Sequence, residues 1–279
     1  MFTRYFLKSA NGSPEARIRE GSMQTRDRLF IGTSGWSYKH WAGGVFYPPG
    51  LRQGEWLPYY AKHFNTVEVN ATFYRLPQES TFRKWWENTP DGFAFTLKAS
   101  RLITHVHKLA APDETVGVFL ERAQILGPKL RMLLFQLPPS LHFHQEHLTH
   151  LAQLMDQQSI VPGLRWALEV RHPTWLQEAC YRILEEHNVA LVFSDWPGCS
   201  VEGPVTADFV YLRRHGPGKL YASSYSPQFL AQEAERVRAW LQEGKQVYAY
   251  FNNDFHGYAV QNATTLRALV TGEPPEQAD

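Results

Sequence analysis

The sequence has two cysteines, no long apolar run and no excess of either charge. Cys180 and Cys199 form neither a CxxC pair nor a zinc-ligand pattern, which excludes a disulfide-stapled scaffold and a zinc ribbon. They read as buried or incidental thiols, and the expected compartment is the reducing cytoplasm. No segment approaches the roughly 20 apolar residues that a membrane-spanning helix needs. The stretch Met1 to Glu20 lacks the apolar core and cleavage site of a secretory signal. Lys plus Arg total 28 against 27 Asp plus Glu, a net charge of +1 that excludes a dedicated non-specific nucleic-acid binder but not a local basic groove. There is no solenoid-period repeat and no low-complexity tract. Gly32 and Gly35 make neither a phosphate loop nor a dinucleotide fingerprint.

What is present is a rhythm. Apolar runs of strand length at Leu29 to Thr33, Thr66 to Asn70, Phe93 to Lys98, Arg131 to Leu137, Arg165 to Arg171, Val189 to Asp195, Phe209 to His215 and Gln246 to Asn252 alternate with amphipathic stretches of helix length. Helices are expected at Glu55 to His63, Ser80 to Asn88, Asp113 to Leu126, Glu146 to Gln157, Trp175 to His187, Pro227 to Glu243 and Val260 to Val270. Strands separated by helices are parallel βαβ units. Such units, repeated without an obvious linker, predict one α/β domain, a TIM-type (β/α)8 barrel over residues 29–270. A doubly wound open sheet is the alternative. Residues 1–28 are expected to be a flexible extension and 271–279 a fraying tail.

The polar residues fall at the carboxyl ends of these strands. Side chains alternate faces along a strand, so Glu68 and Asn70 share a side, as do Thr96 and Lys98, Glu169 and Arg171, Arg213 and His215, and Tyr250 and Asn252. Val67 and Val69 point the other way, toward the helices. Gln136 and Asp195 lie at the ends of the fourth and sixth strands. In a barrel all these ends converge on one mouth, where active sites are built. Glu68, Glu169, Asp195 and His215 are therefore the candidate acid/base groups. Trp36, Asn70, Tyr74, Lys98, Gln136, Arg171, Arg213 and Asn252 are the candidate substrate-binding groups, with Trp36 and Tyr74 at the rim. The structural alternative is an internal salt-bridge network of Glu68, Glu169, Lys98 and Arg171 that only satisfies the barrel interior.

Two histidine clusters, His105 with His107 and His142, His144, His147 and His150, lack partner carboxylates in sequence, and the second, on a loop and the start of a polar helix, reads as solvated side chains. No cofactor is expected. A divalent metal held by Glu169, Asp195 and His215 is the alternative that ligand chemistry allows.

Several stretches resemble the YecE-like family, also called domain of unknown function 72. They are Ile31-Gly32-Thr33-Ser34-Gly35-Trp36, Val67-Glu68-Val69-Asn70 with Phe73-Tyr74, and Phe135-Gln136-Leu137-Pro138-Pro139. Further matches are Glu169-Val170-Arg171-His172-Pro173 with Trp175, Arg213 with His215-Gly216, and Tyr250-Phe251-Asn252-Asn253. The resemblance implies a TIM-type barrel and no established reaction. The fold is similar to xylose-isomerase and endonuclease IV barrels, which suggests sugar or phosphodiester chemistry by analogy only. The histidine-rich strand ends of a trinuclear zinc nuclease are missing.

The function expected is an enzyme with hydrolase-like acid/base chemistry on a polar anionic substrate, phosphate-containing or a nucleic-acid fragment. Cations at the mouth suit phosphate or carboxylate, and two carboxylates with separated pKa values suit proton transfer. The alternatives are a non-catalytic nucleotide- or RNA-binding barrel and a two-carboxylate glycosidase.

Overall fold

The structure is a computed structural model that describes residues 27–157 and 161–274. Most of the expected extension and the end of the expected tail lie outside the described residues. Arg28, assigned above to the extension, already belongs to the barrel: its carbonyl accepts from Val247 N at 2.8 Å and its guanidinium donates to Leu241 O at 2.9 Å.

The strands are β1 (Leu29–Thr33), β2 (Thr66–Val69), β3 (Ala94–Lys98), β4 (Leu130–Gln136), β5 (Arg165–Glu169), β6 (Ala190–Leu191), β7 (Phe193–Ser194), β8 (Phe209–Arg214) and β9 (Gln246–Phe251). The helices are α1 (Trp56–His63), α2 (Ala71–Tyr74), α3 (Glu79–Glu87), α4 (Asp113–Ala123), α5 (Gln145–Gln157), α6 (Glu178–Glu186), α7 (Pro227–Gln242) and α8 (Tyr258–Thr271). Every ladder is parallel, in two sheets ordered β1-β9-β8-β7 and β2-β3-β4-β5-β6. The sheets meet at two seams. At one, β6 and β7 are halves of a single strand interrupted at Val192. At the other, Ser34 forms a parallel bridge with Glu68. The ring is that of a TIM-type barrel, with its ladder broken at these seams.

The second seam depends on Gly32. The Tyr60 hydroxyl of α1 donates to Thr66 O at 3.0 Å and accepts from Thr33 N at 2.9 Å, tying β1 to β2. A Cβ on Gly32 would stand 2.3 Å from Thr66 O and 2.9 Å from that hydroxyl. Gly32→Ala is therefore expected to lower stability by about 1–3 kcal/mol, the range for overpacking a core. Urea unfolding of the variant checks this; an unchanged midpoint would mean the seam accommodates a methyl group.

Period-two alternation sorts the apolar residues into two cores. Val67, Val69, Leu97, Leu133, Phe135 and Leu168 face the helices. Phe30, Met132, Leu134, Phe209, Tyr211, Tyr248 and Tyr250 fill the barrel. Phe30 stacks on Tyr248 at 4.6 Å, and the Tyr250 hydroxyl meets Thr66 Oγ1 at 2.6 Å and Thr96 Oγ1 at 2.7 Å. Both cysteines are buried and unpaired. Among the described residues no helix is long and apolar enough to cross a membrane.

Candidate functional site

At the strands' carboxyl ends the barrel filling turns from apolar to ionic. Arg213 of β8 is 1% exposed and sits between two carboxylates that are wholly buried. It grips Glu68 in a fork, Nε to Oε2 at 2.9 Å and Nη2 to Oε1 at 2.7 Å, and reaches Glu169 Oε2 through Nη1 at 3.1 Å. Tyr211 donates to Glu68 Oε2 at 2.6 Å. Glu169 Oε1 accepts from Arg171 Nε at 3.1 Å and lies 3.0 Å from His215 Nε2. His215 Nε2 stands between Glu169 Oε1 at 3.0 Å and Arg213 Nη1 at 3.2 Å, and its Nδ1 lies 3.2 Å from Asn252 Nδ2.

This arrangement corrects the acid/base expectation. Burial opposes ionisation of both carboxyls, but the Arg213 guanidinium and the hydrogen bonds around it prevail. Glu68 is held below the ordinary carboxylate value and Glu169 well below it. Neither is protonated at neutral pH, and their oxygens are taken. A buried pair clamped to one guanidinium does not supply the acid and base of a glycosidase. Burial also holds His215 below the ordinary histidine value despite Glu169 beside it, so the ring is neutral. Glu68, Glu169 and His215 position Arg213 and Arg171.

Asp195 and Trp36 stand elsewhere. Asp195 Oδ1 accepts from the His215 backbone N at 2.6 Å, and Oδ2 accepts from the Tyr225 hydroxyl. It braces the strand end and does not line the mouth. Asp195, which the alternative metal set joins with Glu169 and His215, faces the backbone N of His215 and not its ring. Trp36 packs edge-on against Trp85 at 5.6 Å and offers its carbonyl to Tyr47, so it belongs to the core beneath the first loop.

Above the ionic layer lies a cavity of about 510 Å³. Asn70, Tyr74, Lys98, Gln136, Arg171, Arg213 and Asn252, seven of the eight residues expected to bind substrate, line it. Tyr38, Ala71, Phe73, His105, Tyr221 and Asp254 complete the wall and were not expected there. They come from loops, from α2 and from the π-helical turn Leu102–Val106, where no alternation rule assigns a face.

Lys98 is the unusual member. It is 8% exposed, its Nζ lies 4.0 Å above the Phe73 ring, and it has no hydrogen bond or ion pair through Nζ among the described residues. The strand end is fixed beneath it, because Thr72 Oγ1 donates to Lys98 O at 2.7 Å. Burial first, then the Arg213 charge, lowers its pKa from 10.5 to about 7, against the pull of Glu169 and Glu68. His105, desolvated and facing Lys98, is pushed down to about 4. Arg171 stacks its guanidinium 3.5 Å from the Trp196 ring centre, and its terminal nitrogens make no hydrogen bond among the described residues.

The comparisons agree with the fold. The family model described as a protein of unknown function, DUF72, matches residues 30–278. The UPF0759 protein YecE of Escherichia coli strain K12 is 35% identical over 147 residues, 52% of this chain and 49% of that protein, so the match spans about half its length. The UPF0759 protein YunF of Bacillus subtilis strain 168 is 26% identical over 287 residues, 90% of this chain and 99% of that one. A solved DUF72 family protein from Thermotoga maritima MSB8 superposes with a TM-score of 0.76 at 30% identity, covering 87% of this chain and 98% of that chain. With the barrel, the strand-end motifs and these matches together, the chain belongs to the DUF72 family, whose function its own description leaves open.

Proposed function

We propose that this chain is an enzyme acting at the barrel mouth on a small, polar anion that carries a phosphate or carboxylate. Lys98 takes and returns the proton, Arg171 holds the anion, and Glu68, Glu169 and His215 position the guanidiniums. The observation that carries this reading is the unpaired Lys98 amine in the cavity wall. Arg213 is committed to two carboxylates, whereas Lys98 and the end of Arg171 remain open to a ligand. An amine that titrates near neutrality suits general acid/base work, because catalytic efficiency is greatest when the pKa lies near the operating pH. Hydrolysis of a phosphoester is the reaction this set serves most directly, and the cytoplasm is its expected location.

Calorimetric titration with inorganic phosphate and with oxalate tests the binding half. Wild type is expected to bind one anion, and Lys98→Met and Arg171→Met are each expected to weaken it about tenfold or more, the worth of a hydrogen bond to a charged group. Unchanged affinity in both variants would overturn the assignment. A screen of aryl phosphate mono- and diesters and short oligonucleotides tests turnover, which is expected to vanish in Lys98→Met.

One observation favours a second reading, a nucleotide- or RNA-binding barrel. Tyr74 is 72% exposed at the cavity rim, where a base could stack while the cations meet its phosphate. Steep loss of oligonucleotide affinity with salt, without turnover, would favour it.

A further inference from the structure

Among the described residues two lysines are buried, Lys98 and Lys129, and they differ in a way that bears on chemistry. Lys129 is 5% exposed and donates to three acceptors, Trp86 O at 2.6 Å, Thr89 O at 2.6 Å and Thr89 Oγ1 at 3.3 Å. That is an ammonium kept for structure. Both amines lie over an aromatic ring, Lys129 Nζ 4.6 Å from that of Trp86 and Lys98 Nζ 4.0 Å from that of Phe73, but Lys98, at 8% exposure, has no acceptor among the described residues. Its neighbours across the ionic layer are cations as well as carboxylates, and a buried lysine near cations is the arrangement that yields a nucleophilic amine. The amine also has a rigid base. Lys98 pairs with Leu134 of β4, and Thr72 fixes its carbonyl. It opens into a cavity with room for a small molecule, beside a guanidinium with free terminal nitrogens.

We propose that Lys98 forms an imine with a small aldehyde, ketone or 2-oxo acid whose carboxylate or phosphate is held by Arg171. The inference rests on the anion-binding reading above and names a substrate class for that site. The amine lone pair attacks the carbonyl carbon, a C–N bond forms, and the carbonyl electron pair moves to oxygen. One amine proton passes to that oxygen, giving a carbinolamine. The second proton follows, the C–O bond breaks, and one water leaves as the C=N bond forms. No oxidant, metal or further reactant is needed. At neutral pH a substantial share of Lys98 is already unprotonated, so the attack does not wait for a rare species.

Reductive trapping tests this. The full chain is mixed with pyruvate, dihydroxyacetone phosphate or neutral hydroxyacetone, treated with sodium cyanoborohydride, and read by intact mass and peptide mapping. The expected result is one adduct, on Lys98, with the two anionic probes. Inorganic phosphate should suppress it, and Lys98→Arg and Lys98→Met should lose it while keeping the wild-type circular dichroism spectrum. Arg171→Met should slow labelling about tenfold if the guanidinium holds the anion. Pyruvate alone labelling would make the held group a carboxylate, and dihydroxyacetone phosphate alone a phosphate, each within the proposed class. Adducts scattered over surface lysines and unchanged in Lys98→Arg would overturn the proposal. So would equal labelling of Lys98 by hydroxyacetone, which would remove the anionic requirement. Phosphate binding without any Lys98 adduct would sink the imine alone, whereas absence of both would sink the anion site with it.

Discussion

Arg213→Met is expected to cost about 3–5 kcal/mol or to prevent folding outright, the penalty for removing one partner from a buried ion pair. The guanidinium is shared by Glu68 and Glu169, both wholly buried, and its loss would leave Glu68 with neutral hydroxyl donors such as Tyr211 and no ion pair among the described residues. Glu169 would keep Arg171 and the His215 ring beside it, so Glu68 should be the worse stranded of the two. The triple variant Arg213→Met, Glu68→Gln, Glu169→Gln should recover part of the loss, because two uncompensated charges are removed with the third. Urea unfolding of the series would measure this, and a loss under about 1 kcal/mol for Arg213→Met would show that water or rearrangement already satisfies the carboxylates. The same network fixes an acid limit. Both carboxyls titrate lower folded than unfolded, so their contribution is complete above the ordinary carboxylate value of about 4.3 and disappears as pH falls through the depressed folded values.

How far such a site can be read from sequence depends on which physical rule governs each residue. Alternation is strict inside a strand, and it placed Glu68, Lys98, Glu169, Arg171 and Arg213 together although they are distant in the chain. It also separates the adjacent Arg213 and Arg214. The first faces the barrel, and the second faces α7, where it pairs with Glu233 at 2.7 Å. At strand ends the rule lapses. Asp195 lies just past the broken β7, and its carboxylate accepts from the backbone N of His215 at the end of β8 instead of entering the mouth. Trp36 lies in a loop where only packing against Trp85 decides its direction. Alternation cannot say whether converging charges are saturated. Sequence placed two glutamates and two arginines at one level, and only the distances reveal that Arg213 consumes the carboxylates. That leaves Lys98, one of several candidate cations by sequence, as the unpaired one. Its isolation depends on Phe73, from a four-residue helix too short to announce itself by periodicity.

Lys98→Met is expected to stabilise the protein near neutral pH, by an amount that shrinks as pH rises. The folded amine titrates near 7 and the unfolded one near 10.5, so between these values the unfolded chain binds a proton that the folded chain does not. Stability of the wild type therefore rises with pH across that window. Below it both states carry the proton, and the cost of burying the ammonium is felt in full. The groups that set the cost are Arg213 and Arg171, which disfavour the ammonium, Glu169 and Glu68, which favour it, and the burial itself. His105 faces the amine but is neutral there, with its pKa down to about 4. Methionine matches the stem, keeps contact with Phe73 and carries no charge, so the linked cost, with an upper bound of about 5 kcal/mol, is removed. Thermal or urea unfolding of both proteins from about pH 6 to about pH 9.5 should give converging curves, with the variant ahead at the acid end. Parallel curves would mean that Lys98 keeps an ordinary pKa, and the amine would then lose the property on which both its proton-transfer role and its imine chemistry depend. Convergence would instead identify the residue that destabilises this barrel mouth while leaving an amine ready for a ligand, a local conflict of the kind that marks functional sites.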